Sequence, residues 1–338
     1  MATFAGRMAT PAILGVWTSP YCVPSSFPQE AIIMDSAALN KQAIASAKQY
    51  MSRTAWPTIA FTLVVVGAFV STLLLFANGI LPAWVACLLV AALTYMSYTP
   101  LHEAVHNNIQ GQRDDRKWLN NLCGYLVAPI IAIPFSSHRV EHFTHHRYTN
   151  QPDKDPDFIV SNMQQGLLAF IVAGLRFQWL QSSYFAKYCW ENASRQEKVI
   201  YSTELALSVG WRVAFILLVT QPATFLVIVL GYYAGALFTA YWFAYRPHHP
   251  YKETARYRNT NSLIMPAWMK PLEWFWLGQN LHSIHHLFPR VPFYHYHALH
   301  RDIAHIMQAQ GTPMIDMFSR QPAPQKLVGS VSHCVERA

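Results

Sequence analysis

Two long apolar segments near the start of the chain are separated by a short polar turn. They run from Pro57 to Ala77 and from Ile80 to Tyr98, with Asn78-Gly79 between them. Neither contains a charged residue, and each has about 20 residues, the length at which an α-helix crosses the hydrocarbon core of a bilayer. Asparagine followed by glycine is typical of a turn. The pattern therefore predicts a transmembrane helical hairpin.

A second apolar pair follows later in the chain, from Glu204 to Thr220 and from Ala223 to Tyr245, with a turn at Gln221-Pro222. It predicts a second transmembrane hairpin. Arg212 interrupts its first member, and two explanations stay open. Either the arginine extends to the membrane interface, or the embedded part of the helix begins later than the apolar pattern indicates.

Two further apolar segments lie between the hairpins, at 118–135 and 166–179, but prolines or charges interrupt them. This pattern is typical of interfacial or re-entrant helices rather than complete spans. The predicted organisation is an N-terminal tail at 1–50, a membrane domain at 51–310 and a C-terminal tail at 311–338.

The first 33 residues differ from the rest of the chain. They contain one arginine and no acidic residue before Glu30, together with several prolines, serines and threonines. Three explanations stay open: a targeting peptide, an early start ahead of Met34, or a disordered tail. A cleaved secretory signal is disfavoured, because it would direct the later histidine-rich segments to the outside.

The composition and charge agree with a membrane protein. The chain has 338 residues, of which 52% are hydrophobic and 12% charged, against roughly 25% charged in soluble domains. The net charge of +8 fits loops that face anionic lipid better than a nucleic-acid partner.

Neither predicted hairpin turn carries Lys or Arg, so the positive-inside rule places the termini and large loops in the cytoplasm. Five cysteines without CxxC spacing argue against a disulfide framework or a cysteine-ligated zinc site.

Histidine is the unusual residue of this chain. There are sixteen, the first is His102, and all fall on the predicted cytoplasmic side of the membrane. Eight of them form three boxes: HEAVH (His102, His106), HFTHH (His142, His145, His146) and HSIHH (His282, His285, His286).

Helical spacing relates these histidines to metal binding. Residues at i, i+3 and i+4 share a helix face, so each box directs two or three imidazoles the same way. Adjacent histidines lie about 100° apart around a helix, which suits two neighbouring ions better than one. Eight nitrogens exceed the four ligands of a tetrahedral zinc and suit two octahedral-leaning irons with open positions.

Three residues outside the boxes are candidate partners of such a centre. His248 lies in YRPHHP directly after the last predicted span, where it is placed to supply a ninth ligand. Asp155 and Asp157 follow the second box. Carboxylates of this kind orient ligand imidazoles through the ring nitrogen that does not bind the metal.

Two other classes of protein compete with the di-iron hypothesis. HEAVH matches the HExxH motif of zinc metalloproteases, in which Glu103 would be the general base. A protease does not need the six later box histidines, however. A metal transporter should place its ligands inside the spans near the midplane, whereas the predicted spans contain no internal histidine or aspartate.

The histidine boxes and their flanking segments resemble the membrane fatty-acid-desaturase-like superfamily. Within it, HFTHHRYTNQPDKDPDFIVS, YRPHHPYKETARYRNT and GQNLHSIHHLFPRVPFYHY are most similar to cyanobacterial-type β-carotene hydroxylases, over about residues 57–305. The first box carries Glu103 where these hydroxylases more often have Asp, and His249 replaces a frequent Arg. These differences bear on substrate choice and not on the metal centre.

The resemblance implies an all-α integral membrane fold with four transmembrane helices in two hairpins and a cytoplasmic helical cap that holds a di-iron site. It implies iron binding by the eight box histidines, with His248 as ninth ligand and Asn280 as a polar or water-mediated contact. The implied reaction uses O2, an external ferredoxin-like or cytochrome electron donor and a lipid C–H bond. Hydroxylation of a β-carotene-type ring is expected, and acyl-lipid desaturation is the alternative.

Overall fold

The computed structural model describes residues 36–318 and 323–324, and the expectations for residues 1–33 lie outside them. The fold is predominantly helical, as expected. The helices are α1 (Ser36–Lys48), α2 (Trp56–Ala77), α3 (Ala83–Val105), α4 (Lys117–Ile131), α5 (Phe135–Tyr148), α6 (Leu167–Tyr188), α7 (Arg195–Leu218), α8 (Thr224–Thr239), α9 (Arg246–His248), α10 (His282–Leu287) and α11 (Tyr296–Ala309). Strand β1 (Ser262–Ile264) pairs in parallel with β2 (Pro313–Asp316), which pairs antiparallel with β3 (Ala323–Pro324).

Within the described residues, four helical runs are long and apolar enough to cross a bilayer: α2, α3, α7 and the continuous run Thr224–His248. The two predicted hairpins are therefore confirmed, although their boundaries shift. Helix α3 begins only at Ala83, after the N-cap residue Pro82, and continues past Tyr98 to Val105. Its last turn leaves the apolar segment and carries the first histidine box.

Two glycines bring α3 and α8 into close contact. A Cβ atom added to Gly231 would lie 2.9 Å from the Cys87 carbonyl oxygen, and one added to Gly235 would lie 2.3 Å from the Ala91 carbonyl oxygen. Small residues four positions apart allow membrane helices to approach this closely. The carboxyl ends of α3 and of the α8 run consequently lie side by side, and both ends carry histidines.

Helices α4 and α5 form an elbow between the hairpins. The run that ends at Ile131 meets α5 at an angle of 95°. The break contains Ala132, which has left-handed φ and ψ of 56° and 34°, and Pro134, which is the N-cap residue of α5. The apolar segment expected at 118–135 thus ends in a sharp bend, and α5 runs in a different direction from α4.

Two charged residues of α7 hold this elbow. The Glu204 carboxylate accepts hydrogen bonds from the backbone N–H groups of Phe135 and Ser136, at 2.8 and 3.1 Å, and from the Ser136 hydroxyl. The Arg212 guanidinium donates to the carbonyl oxygens of Pro129 and Ile130, both at 2.7 Å. An anion thus caps the start of α5 and a cation caps the end of α4, where helix termini leave unpaired groups of the opposite polarity.

The structure gives Arg212 protein partners that the sequence did not indicate. Its side chain bonds to the end of α4 and stacks on Trp211 and Tyr232 at 4.5 and 4.7 Å. Helix α7 itself begins at Arg195, before the apolar segment that starts at Glu204. Hydrogen bonds to a charged group contribute about 1.5–3 kcal/mol each, which offsets part of the cost of burying the cation.

Both expected tails contribute to the ordered fold. Residues 36–48, assigned to the N-terminal tail from the sequence, form α1, whose buried Leu39, Ala43 and Ala47 belong to the core that includes α10 and α11. Strand β2 lies in the segment assigned to the C-terminal tail. The buried face of α1 consists mainly of alanine, so the sequence shows no strong pattern of large apolar residues at helical spacing. The burial of this face depends on contacts with residues about 240 positions later in the chain.

Candidate metal centre

The nine histidines expected as ligands converge on one region at the cap end of the helices. The last turn of α3 carries the first box, α5 the second and α10 the third, while α9 carries His248. Seven of the nine side chains are buried, and His146 and His286 are half-buried. Such a concentration of buried imidazoles is costly unless something replaces the water that each nitrogen has lost.

A first set contains five histidines whose ligand atoms all lie within 4.8 Å of one another. Nε2 of His146 lies 3.1 Å from Nε2 of His142 and 2.9 Å from Nε2 of His285. Nε2 of His285 lies in turn 3.0 Å from Nε2 of His102. We call this set the five-histidine cluster; its members are His102, His106, His142, His146 and His285.

A second set adjoins the first. The ligand atoms of His145, His248 and His286 lie within 4.8 Å of one another, and the His282 ring is centred 5.2 Å from His248 and 4.8 Å from His286. We call these residues the four-histidine cluster. The His146 and His286 rings stack at 4.3 Å where the two clusters meet.

Helical spacing explains how the histidines are divided. The i, i+4 pairs His102–His106 and His142–His146 belong entirely to the five-histidine cluster, and His282–His286 belongs to the other. His145 and His285, the remaining members of the second and third boxes, lie about 100° around their helices and join the opposite cluster. The adjacent pairs are therefore split between two positions.

The hydrogen-bonding potential of these rings fits metal ions better than hydrogen bonds. A neutral imidazole nitrogen carries one proton at most, yet Nε2 of His146 contacts two other Nε2 atoms. Both ring nitrogens of His248 and of His282 are buried without a hydrogen-bond partner, as is Nε2 of His106. Lone pairs directed at a shared point are what a bound cation requires, and nine histidines in two adjoining clusters exceed the four ligands of a single closed tetrahedral zinc site.

Burial keeps two of the imidazoles, His282 and His285, in the neutral form that binds metals, whereas at His145 burial is outweighed by the Asp155 and Asp157 carboxylates, which raise the pKa to about 9. Burial lowers the pKa of His282 to about 3. Burial, and next the neighbouring His102 and His146 imidazoles, lowers the pKa of His285 well below its ordinary value. These two rings are accordingly neutral at physiological pH, and only neutral histidine is a ligand.

A change of helix type brings His248 into the centre. Residues 240–245 form a π-helical segment between α8 and α9. A π segment inserts an extra residue into the helical repeat and occurs frequently at functional sites. The positions after it are rotated relative to a continuous α-helix, and His248 consequently stands 4.7 Å from His145 and 4.9 Å from His286, measured between ring centres.

Asp155 and Asp157 contact Nδ1 of His145, the ring nitrogen that does not face the other histidines. Nδ1 of His145 lies 2.8 Å from a carboxylate oxygen of Asp155 and 3.6 Å from one of Asp157. Asp155 also accepts hydrogen bonds from the backbone N–H groups of Asn150 and Asp157, at 2.7 and 2.9 Å. With Nδ1 engaged in this way, Nε2 of His145 faces His286 at 3.3 Å.

Asn280 has different surroundings. Its Nδ2 atom donates to Glu273 Oε1 at 2.9 Å and to the Leu263 carbonyl oxygen at 3.3 Å, while its Oδ1 atom is buried without a partner. These contacts join the segment before α10 to strand β1. They give Asn280 a part in orienting α10, two positions before His282.

Two buried residues at the centre, His138 and Tyr296, were not identified from the sequence. His138 lies one turn before His142 on α5, with Nδ1 3.0 Å from the Glu141 carboxylate and its ring centred 5.5 Å from Tyr98. The Tyr296 hydroxyl lies 3.1 Å from Nδ1 of His285. The i, i+4 spacing of His138 and His142 was an available signal, whereas nothing in the local sequence connects Tyr296 with His285.

The contacts of Glu103 disfavour the metalloprotease hypothesis. Its Oε1 atom accepts hydrogen bonds from Nδ2 of Asn108, at 3.0 Å, and from the backbone N–H of Phe293, at 3.2 Å. A general base of an HExxH site must instead reach a water on the metal. Glu103 thus joins the end of α3 to the segment before α11.

Comparisons with known proteins agree with this geometry. Residues 78–318, more than half of the chain, match the family model described as fatty acid desaturase. A curated relative is the endoplasmic-reticulum omega-3 fatty acid desaturase of Vigna radiata var. radiata, 23% identical over 230 residues. The alignment covers 56% of this chain and 57% of the relative, so the chain spans little more than half the length of that protein.

We expect a purified chain reconstituted with Fe(II) to hold about two irons, one for each histidine cluster. His285→Ala should retain membrane insertion but lower the iron content toward one. Activity should fall more than about 100-fold, since even the outer partners of metal ligands contribute roughly 10–100-fold. Iron per polypeptide and product formation measure this. His305→Ala, an exposed position on α11, is the control, and a fully active His285→Ala protein with two irons would refute the assignment.

Asp155→Asn should weaken metal binding in the four-histidine cluster by roughly 10–100-fold, because the amide cannot hold the His145 ring as the carboxylate does. A competition titration with a chelator measures the affinity. Asp153→Asn removes an exposed carboxylate from the same loop and should leave the affinity unchanged. Equal losses in the two variants would mean that loop charge, and not the contact with His145, is responsible.

Proposed function

This chain belongs to the fatty acid desaturase family, and we propose that it is an integral membrane oxidoreductase that introduces a double bond into an acyl chain of a lipid. The observation that carries the proposal is the division of nine histidines, seven of them buried, into two adjoining clusters. In the proposal each cluster holds one iron, and the pair of irons supplies the reduction of O2 and the cleavage of unactivated C–H bonds.

The proposed reaction is balanced by an external reductant. A –CH2–CH2– unit, O2, two electrons and two protons give –CH=CH– and two molecules of water. The residues of this chain orient the ligand rings, through Asp155 on His145 and Tyr296 on His285. They also keep bulk water from the buried imidazoles.

A column of aromatic side chains between α3 and the α8 run supports an acyl chain as the substrate. Directly beneath His102, Tyr98 stacks on the histidine at 5.5 Å and meets Phe243 edge-on at 4.9 Å. The column continues through Tyr95 to Phe238, which is 42% exposed on the membrane side. Because glycines hold these helices close, a slender polymethylene chain displaces fewer side chains here than a methylated ring.

Ring hydroxylation of a β-carotene-type carotenoid is the second candidate. The family match and the plant relative favour an acyl chain, and neither supports a carotenoid. The resemblance of YRPHHPYKETARYRNT and GQNLHSIHHLFPRVPFYHY to carotenoid hydroxylases is what favours the ring. Of the aromatics around the π segment, Phe243 packs on Tyr98, and Trp242 packs on Trp276 at 5.3 Å.

The electron donor is proposed to dock on the cap. A pocket of about 230 Å³ reaches His248 and His249 from the surface, with Lys252, Glu253 and Arg258 on its wall. Arg258 lies 3.7 Å from Glu253, so the exposed Lys252 is the cation offered to an acidic carrier such as a ferredoxin-like protein or a cytochrome. The pocket gives such a carrier a short approach to the four-histidine cluster.

The cap is proposed to face the cytoplasm, as the positive-inside rule indicates. In a chain without its native cysteines, a cysteine at Asn78 should react with an impermeant thiol reagent added outside intact cells. One at Lys154 should react only after lysis. Both positions are exposed in the fold, so the opposite pattern would reverse the topology and exclude a cytoplasmic donor.

Product analysis tests the substrate. The chain should be expressed in a β-carotene-producing host, and fatty acids and pigments should be profiled from the same cells. We expect an acyl chain that has lost two hydrogens, and the same host with His285→Ala should show no new product. If acyl chains stay unchanged while the carotene gains ring hydroxyl groups, carotenoid hydroxylation is the correct function.

A further inference from the structure

The lipid-facing side of α7 contains a groove remote in sequence from the histidine boxes. It has a volume of about 540 Å³ and begins at Trp190, just before the helix. Helix α7 is the least buried of the four candidate spans. The other lining residues recur at helical spacing along one face of α7: Arg195, Lys198, Val199, Ser202, Thr203, Ala206 and Leu207.

The chemistry of the groove changes along the helix axis. Two cations stand at the cap end, two hydroxyl side chains follow one turn deeper, and Ala206 and Leu207 complete the apolar end. Val199 and Leu207 are 57% and 58% exposed. A glycerophospholipid presents the same order of groups from its interface inward: a phosphate, polar ester linkages and hydrocarbon.

The two cations are not neutralised by the protein. Among the described residues, no carboxylate pairs with Arg195 or Lys198. The nearby Glu197 is occupied in the capping box of α7, where its carboxylate accepts from the backbone N–H and hydroxyl of Ser194. Lys198 lies 5.5 Å from the Trp190 ring, which fixes its ammonium group at the mouth of the groove.

We propose that this groove binds one anionic glycerophospholipid, with its phosphate between Arg195 and Lys198 and an acyl chain along Ala206 and Leu207. The dimensions agree. From Arg195 to Leu207 the helix rises about 18 Å, slightly more than half of the roughly 30 Å hydrocarbon core. Gly210 continues the same face and leaves open space where a side chain would stand, so the acyl chain can extend beyond the groove.

Occupancy of this site is expected to affect the metal centre indirectly. Helix α7 also carries Glu204 and Arg212, which cap the elbow between α4 and α5. A lipid held along α7 stabilises the helix that positions the α5 histidines. Lipid binding in this groove does not depend on the reaction that the centre catalyses.

The test uses the full chain, purified and placed in phosphatidylcholine nanodiscs containing a small fraction of phosphatidylglycerol. Native mass spectrometry counts the phosphatidylglycerol retained on each protein after release from the disc. We expect one strongly retained molecule. The double variant Arg195→Gln, Lys198→Gln should bind it about thirtyfold more weakly, from about fivefold for each cation near the lipid surface. The matched control Arg176→Gln, Lys187→Gln removes two exposed cations from α6 and should bind normally.

A second variant distinguishes lipid binding in a shaped groove from nonspecific electrostatic attraction to the surface. Ala206→Trp fills the apolar part of the groove and keeps both cations, and we expect it also to lose the retained lipid. Normal retention by Ala206→Trp, or an equal loss in the α6 control, would overturn the proposal in favour of nonspecific surface charge. If inorganic phosphate raises the unfolding temperature as much as phosphatidylglycerol does, the groove is an anion site and the lipid assignment is wrong.

Discussion

The packing of nine imidazoles, seven of them buried, into one continuous space is the constraint on which the rest of the structure depends. Each ring brings a polar nitrogen out of water, and ring nitrogens face one another, as Nε2 of His146 faces those of His142 and His285. Such a group is costly unless cations occupy the shared positions. The nine histidines come from four separate segments, the end of α3 and helices α5, α9 and α10. The fold has to hold these segments in fixed positions around the two histidine clusters.

The elbow between α4 and α5 is held by polar groups that would be unfavourable inside a bundle of purely apolar helices. Glu204 and Arg212 lie within a candidate span, and each one satisfies backbone groups at one side of the elbow. Because α5 contributes residues to both histidine clusters, its direction sets their spacing. The glycine contacts between α3 and α8 set the remaining distance, between His102 and His248.

The same arrangement separates the approaches to the centre. Towards the membrane, the aromatic column from Phe238 to Tyr98 leads to His102. Towards the cap, the pocket beside Lys252 reaches His248. Under the proposed function, a hydrophobic substrate and a water-soluble electron carrier would thus approach adjoining clusters from different sides.

The sequence by itself determined the four spans, the two hairpins and the three histidine boxes, because each is a short-range pattern of apolar length or helical spacing. It also indicated that adjacent histidines would serve two positions. Only the tertiary structure decided which boxes share a cluster, how the π segment directs His248, and that α1 belongs to the core. It also showed that Arg212 caps α4 and that Tyr296 contacts His285. These features depend on contacts between residues far apart in the chain, and local periodicity carries no information about such partners.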